Sequence, residues 1–193
     1  MNKANYTHRR KRVGDRFIRK KTERGMKMAG VNREITDITE IEKILKEAKV
    51  CRLALMNGEY PYIIPMCFGY KLDGGQLELY FHSAPTGHKI DLIKKNNLAG
   101  FEMDCLTGVI KDEDRCSVNA VYECITGTGF VEIINGIEKL TGLTAIISKY
   151  DDVKQEHKFS EQALNGMVLI KLTAENFCCR SHQVDEDNID LPE

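Results

Sequence analysis

Two glycine turns constrain the fold of this chain more than any other feature. Asn57-Gly58 separates a β-patterned run at 51–56 from a second at 60–72, and Asp73-Gly74-Gly75 separates that run from a third at 76–83. Asn-Gly tolerates the left-handed conformations of a type I′ turn, whose twist matches that of paired strands, so the spacing predicts a hairpin. No crossover of helical length stands between the three runs, which therefore pair antiparallel and not as the βαβ units of a doubly wound sheet. Further strands are expected at 98–106, at 118–134 with a bulge or bend at Gly127 and Gly129, and at 167–173. Charged residues crowd 107–115, which is expected as a solvated loop. Helical periodicity marks 38–49, where Asp37 and Glu40 have capping-box spacing, then 87–95, 136–150 and a short stretch at 160–165. About six strands with three or four short helices describe a mainly β chain, a closed antiparallel barrel with peripheral helices.

Charge divides the chain unevenly. Residues 1–30 hold eleven Lys or Arg against Asp15 and Glu23, although the formal net charge of all 193 residues is −1. A basic block of that kind attracts phosphate or anionic lipid, but it carries too few apolar residues to order itself. The expected organisation is a basic disordered tail over 1–30, one folded domain over 31–176 and an acidic tail over 177–193, without nucleic acid as a partner. No run approaches the roughly 20 consecutive apolar residues that span a bilayer, and no apolar segment follows the charged N-terminus. A cytoplasmic protein with no membrane partner is expected. The seven cysteines, at 51, 67, 105, 116, 124, 178 and 179, lack C-x-x-C spacing. Reduced thiols and no metal site are expected, with Cys67 a small core residue.

Residues 80–97, YFHSAPTGHKIDLIKKNN, describe a strand ending in His82 and Ser83, a tight polar loop, and a helix that opens at Gly87. First-turn amides have no intrahelical acceptor and lie at the positive end of the helix dipole, so the junction suits an anion such as phosphate. Ser83 and Thr86 add hydroxyls. Lys89 adds a positive charge where the dipole disfavours one, which an anion would relieve, whereas Lys94 and Lys95 sit at the favourable end. Pro65 removes an amide from its strand, which implies an edge, a bulge or the approach of a ligand.

In this order, a helix, CRLAL, PYIIPMCFGY, LYFHSAPTGHKIDLIKKNN, FEMD and VYECITGTGFVEII resemble the pyridoxamine 5′-phosphate oxidase-like split β-barrel superfamily. Within it, the similarity is greatest to the 5-nitroimidazole-resistance (Nim) branch, over about residues 33–173. The resemblance implies a six-stranded antiparallel split β-barrel of the FMN-binding type, and a homodimer with one FMN in each of two clefts at the subunit interface. It assigns Pro65, Met66 and Cys67 to the strand beside the isoalloxazine, His82 and Ser83 to the strand end that approaches the cofactor, and Gly87, His88 and Lys89 to the phosphate. His82 is the residue it sets nearest the redox chemistry, and so the candidate catalytic residue. Arg52 is a further phosphate or flavin contact by the same resemblance, and Tyr122 a ring available to stack near the cofactor. The sequence departs from the family pattern at Cys124, where serine is usual, and at 176–180, NFCCR, where a Thr-Gly-Lys motif is common.

The implied activity is FMN-dependent oxidoreduction of a small electrophile, for example a nitroaromatic, with NAD(P)H as a candidate donor. No Gly-rich dinucleotide fingerprint occurs, so a nicotinamide would dock transiently over the flavin. An imidazole can exchange a proton near neutral pH, a role open to His82. The alternative is a non-catalytic flavin-binding or storage module, and relatives in the wider superfamily also bind haem or a deazaflavin. Oxidation of pyridoxamine 5′-phosphate fits less well. Such a substrate needs clustered cations of its own, and outside the basic segment Arg33, Arg52, Arg115 and Arg180 are scattered.

Overall fold

Residues 30–112, 117–151 and 159–184 are described by the computed structural model. In chain order they form β1 (Gly30–Ile35), α1 (Ile38–Glu47), β2 (Cys51–Asn57), β3 (Tyr60–Met66), β4 (Gly69–Asp73), β5 (Gln76–Ser83), α2 (His88–Lys95), β6 (Leu98–Asp112), β7 (Ser117–Ile134), α3 (Gly136–Tyr150), α4 (Glu161–Asn165) and β8 (Val168–Val184). The strands make one antiparallel sheet in the order β3-β2-β6-β7-β8-β5-β4, with β1 added to β8.

The edge strands β3 and β4 are consecutive in the chain, joined by Cys67 and Phe68, yet β2, β6, β7, β8 and β5 all lie between them in the sheet. So short a link reaches only about 11 Å. The sheet must therefore roll until its two edges meet at this corner, and no ladder among the described residues joins β3 to β4. The result is the expected mainly β split barrel with peripheral helices, but with eight strands instead of six and an open seam instead of closure.

The two extra strands have physical causes. The run 60–72 divides at Cys67 and Phe68, where Phe68 is 0% exposed and its amide donates to Tyr150 Oη instead of to a ladder. β1 forms because β8 continues past Thr173 to Val184, beyond the expected boundary at 176, and pairs with β7 on one side and β1 on the other. β6 likewise runs to Asp112 through residues expected as a solvated loop. The ladder to β7 absorbs a register shift between Leu106 and Gly108, and the Thr107 hydroxyl donates to Val121 O at 2.9 Å across it. The basic segment 1–29, the acidic run 185–193 and Cys116 lie outside the described residues.

Pro65 sits on an edge strand, one of the arrangements its missing amide implied. The β7–β8 register shifts between Thr128 and Gly129, so the glycine pair does mark a bulge. A Cβ at Gly129 would lie 2.1 Å from Thr173 O, too close for any other residue.

Alternation fills the barrel. Leu53 and Leu55 of β2, Leu77, Leu79 and Phe81 of β5 and Met103 of β6 point inward and are at most 1% exposed. α1 covers one opening with Ile41, Ile44 and Leu45, and α2 another with Ile90, Leu92 and Ile93. α3 lies outside the sheet over a second cluster of Tyr80, Ile134, Leu143, Ile146 and Leu169. It approaches the sheet tightly at Gly69, where a Cβ would stand 2.3 Å from the Ile146 backbone nitrogen.

Gly69→Ala must lift α3 from β4, since the clash is with backbone and no side chain can swing away. A cost of about 2–3 kcal/mol is expected from such overpacking, seen as a lower urea midpoint at unchanged slope; an unchanged midpoint would remove the close approach as a constraint.

Asp37 caps α1, accepting from the amides of Thr39 at 2.8 Å and Glu40 at 3.3 Å, while Glu40 turns instead to Arg33 at 2.6 Å. The Thr39 hydroxyl first, then these amides, hold the Asp37 carboxyl below its ordinary range. A lowered carboxylate contributes stability that is present above the unfolded value and lost as pH falls through the folded one. Asp37→Ala should accordingly melt below the wild type at neutral pH, with the gap closing on acidification. Thermal melts at stepped pH check this, and a gap independent of pH would contradict it.

Candidate functional site

β5 delivers His82 and Ser83 to one end of the barrel, and a loop of Ala84, Pro85 and Thr86 leads to Gly87, which caps α2. Gly87 takes φ 120°, a conformation that side chains resist, and its carbonyl accepts from the amides of Ile90 at 2.9 Å and Asp91 at 3.2 Å. No side chain caps the helix, and a Cβ on Gly87 would meet nothing within 4 Å. The first turn of α2 therefore presents donors to open space, with the half-buried Lys89 beside them. The exposed His88 ring stands edge-on to Tyr62 of β3, centroids 4.8 Å apart at 77°, which ties the start of α2 to that strand.

The β3–β4 corner comes to the same place. β4 pairs with β5 as far as Gly69 opposite Tyr80, and two residues further on stand Cys67 and the exposed His82. Pro65, Met66, Cys67, His82, Ser83, Gly87, His88 and Lys89 are thus drawn to the open seam between β3 and β5. Two of them differ from expectation. Cys67 is exposed and not a core residue, because Phe68 takes the inward position at the corner. Ser83 is 5% exposed and donates its hydroxyl to Ala84 O at 3.0 Å, so it serves its own loop.

Arg52 and Tyr122 lie elsewhere. Arg52, on the outer face of β2 beside Pro65, pairs with Glu102 at 2.9 Å and with Asp104. The hydrogen bonds to Asp104 and then Glu102 hold its guanidinium firmly charged, while partial burial pushes Glu102 up. Two carboxylates already neutralise this cation, which leaves it poorly suited to a phosphate. Tyr122 stacks on His182 at 5.4 Å and 23°. His82 shares a cross-strand row with Leu169 and Ile134, and Tyr122 lies roughly 40 Å from Ile134 along an extended β7, so one chain does not bring Tyr122 to the seam.

Sequence reasoning missed a groove of about 510 Å³ across the outer face of β3, β2, β6 and β7. Ala54, Gly100 and Gly127 line it between Ile63, Thr126 and Thr128, with Arg52 and Glu102 at its margin. Ile63, Ala54, Gly100 and Thr128 form one row across the sheet, and small residues in mid-row leave the depression. The available signal was Ala54 and Gly100 at outward positions, which acquires meaning only once register is known. β3 divides groove from seam, with Ile63 facing the first and Tyr62 turned to His88.

Among the described residues, no three His, Cys, Asp or Glu side chains gather so as to hold a metal ion, and no helix is long and apolar enough to cross a membrane.

Known proteins share this architecture. A candidate 5-nitroimidazole antibiotic resistance protein from Bacteroides thetaiotaomicron is 27% identical, with a TM-score of 0.67 over 80% of this chain and 90% of its own. An FAD- and haem-binding protein from Mycobacterium smegmatis superposes with the same TM-score at 17% identity, over 78% of this chain and 73% of its own. A flavocytochrome from Azotobacter vinelandii gives 0.62 at 15% identity, over 84% and 76%. These last two share the fold alone. No curated protein matches the chain closely enough to count as a relative. The family model for pyridoxamine 5′-phosphate oxidase matches residues 37–180, from the cap of α1 into β8, and the chain belongs to that family.

Proposed function

We propose that the protein is a flavin-binding oxidoreductase that holds FMN in the seam between β3 and β5 and transfers electrons to a small electrophile such as a nitroaromatic. The observation that carries this reading is the convergence, at one barrel end, of an uncapped helix start bearing Lys89 with the edge strand of Pro65 and the exposed His82. The donor set suits the group. Backbone amides, Thr86 and Lys89 fit a phosphate, and an edge strand with unpaired main-chain groups fits the polar rim of a flavin. The likeness to the Bacteroides thetaiotaomicron protein, a candidate 5-nitroimidazole resistance protein, favours a nitro compound as acceptor.

Bound flavin would supply the electron-carrying chemistry that side chains lack. The first turn of α2 would hold the phosphate, and Gly87 keeps that approach clear. The β3 backbone at Met66 and Cys67 would orient the ring edge. His82, exposed at the end of β5, would give a proton to the substrate as it is reduced. A homodimer belongs to the same reading. Ile63, Leu106, Val109 and Val118 are each more than half exposed on the sheet and its long β6–β7 hairpin, a surface that a second copy would cover.

The absorbance of the purified protein tests the reading first: twin flavin bands are expected, bleached by NADH or NADPH and restored by a nitroimidazole. A Soret band would point to haem, and flavin bands that neither donor bleaches would favour a storage module. His82→Ala should retain its FMN while return of colour on adding the nitro compound slows by about a hundredfold. An unchanged rate would remove His82 from the chemistry.

A further inference from the structure

The last two residues of α3 reach the corner on which the barrel closes. Phe68 N–H donates to Tyr150 Oη at 3.1 Å, and Tyr150 Oη donates in turn to Lys49 O at 2.7 Å, just ahead of β2. The hydroxyl thus satisfies a backbone donor and a backbone acceptor that no ladder reaches. Lys149 Nζ donates to Leu45 O at 2.6 Å and Lys46 O at 3.0 Å at the end of α1, where a cation suits the helix dipole. The same ammonium lies 4.4 Å from the Phe68 ring centroid. At Gly69, the next residue, the α3 backbone comes so near that a Cβ would lie 2.3 Å from Ile146 N. One helix end therefore grips Phe68 through its amide and its ring, and Gly69 through its bare Cα.

We propose that Tyr150 is a positioning residue for the flavin edge: its hydroxyl, strung between Phe68 N–H and Lys49 C=O and buttressed by Lys149, fixes the Cys67–Phe68 corner that ends the strand against which the ring seats. This inference rests on the flavin reading above and adds to it a group outside the seam. Met66 is paired with β2 on one side only, because β3 is an edge strand, and Cys67 lies just past the end of that ladder. The Tyr150 bond is the hydrogen bond that holds the main chain of this corner from its free side, beside the packing of the Phe68 ring. Burial above all holds the Tyr150 phenol up at about 12, so it stays a neutral donor and acceptor. Burial, and then the charge of Lys49, brings the Lys149 ammonium down to about 8.

The test uses the full chain and three variants, Tyr150→Phe, Lys149→Met and Lys149→Arg, with FMN as the probe. Exchange of the Phe68 amide is read without flavin, then FMN affinity, the shape of the bound-flavin absorption band and its reduction potential. Loss of one backbone-positioning hydrogen bond should speed exchange at Phe68 and weaken FMN binding each by about tenfold in Tyr150→Phe. The band and potential should shift with it, while thermal unfolding stays cooperative. Lys149→Met should move in the same direction, and Lys149→Arg, which keeps donors and charge, should restore the wild-type values. Unchanged amide exchange in Tyr150→Phe, or faster exchange with wild-type affinity, band and potential, would overturn the inference and leave flavin binding intact. A wild-type chain that takes up no FMN would overturn both.

Discussion

The barrel depends on one short link. Because Cys67 and Phe68 alone join the two edge strands, the sheet has a single way to satisfy its connectivity, which is to roll until β3 and β4 meet. Hydrophobic burial drives the roll, with Phe68 and Phe81 wholly enclosed. The link decides where the roll stops, and because it is too tight to let the edges run side by side, the seam next to it stays open. A cleft lined with unpaired main-chain groups is thus a by-product of how the fold closes, and the chain places the end of β5 and the start of α2 beside it.

Much of this was legible in the sequence because it is local. Asn57-Gly58 and Asp73-Gly74-Gly75 specify their turns within a few residues, and three of those glycines take the positive φ such turns require. Asp37 caps α1 through atoms two and three residues away. The loop from Ser83 to Lys89 is likewise self-contained, so its open helix start is visible in composition alone. The family signature adds the rest of the seam, since it records which distant strands meet there.

What the sequence did not disclose is set by partners far along the chain. The end of β8 is a strand because β7 offers it a ladder, and β1 because the end of β8 does, and neither has a strong pattern of its own. The charged stretch of β6 extends because β7 lies alongside, a tertiary override of local preference. Cys67 differs from expectation for a related reason: a residue in a strand is inward or outward according to parity, and Met66 and Phe68 on either side take the inward positions, which leaves Cys67 outward. The role of Arg52 needed the register too, since Glu102 and Asp104 become its partners only across the β2–β6 ladder.

The bonds that secure the corner span 82 residues from Phe68 to Tyr150 and 101 from Lys49 to Tyr150. During synthesis the β2–β3 and β4–β5 hairpins emerge early and can form at once, whereas their closure into a barrel waits for β8, which follows α3 and is the strand that joins β5 to β7. Through that interval the nascent chain carries two bare strand edges, which are templates for pairing with other chains. The order of the elements therefore sets a delay on closure: the corner contact can form once α3 is made, but the half-made sheet goes without its own partner until β8 arrives.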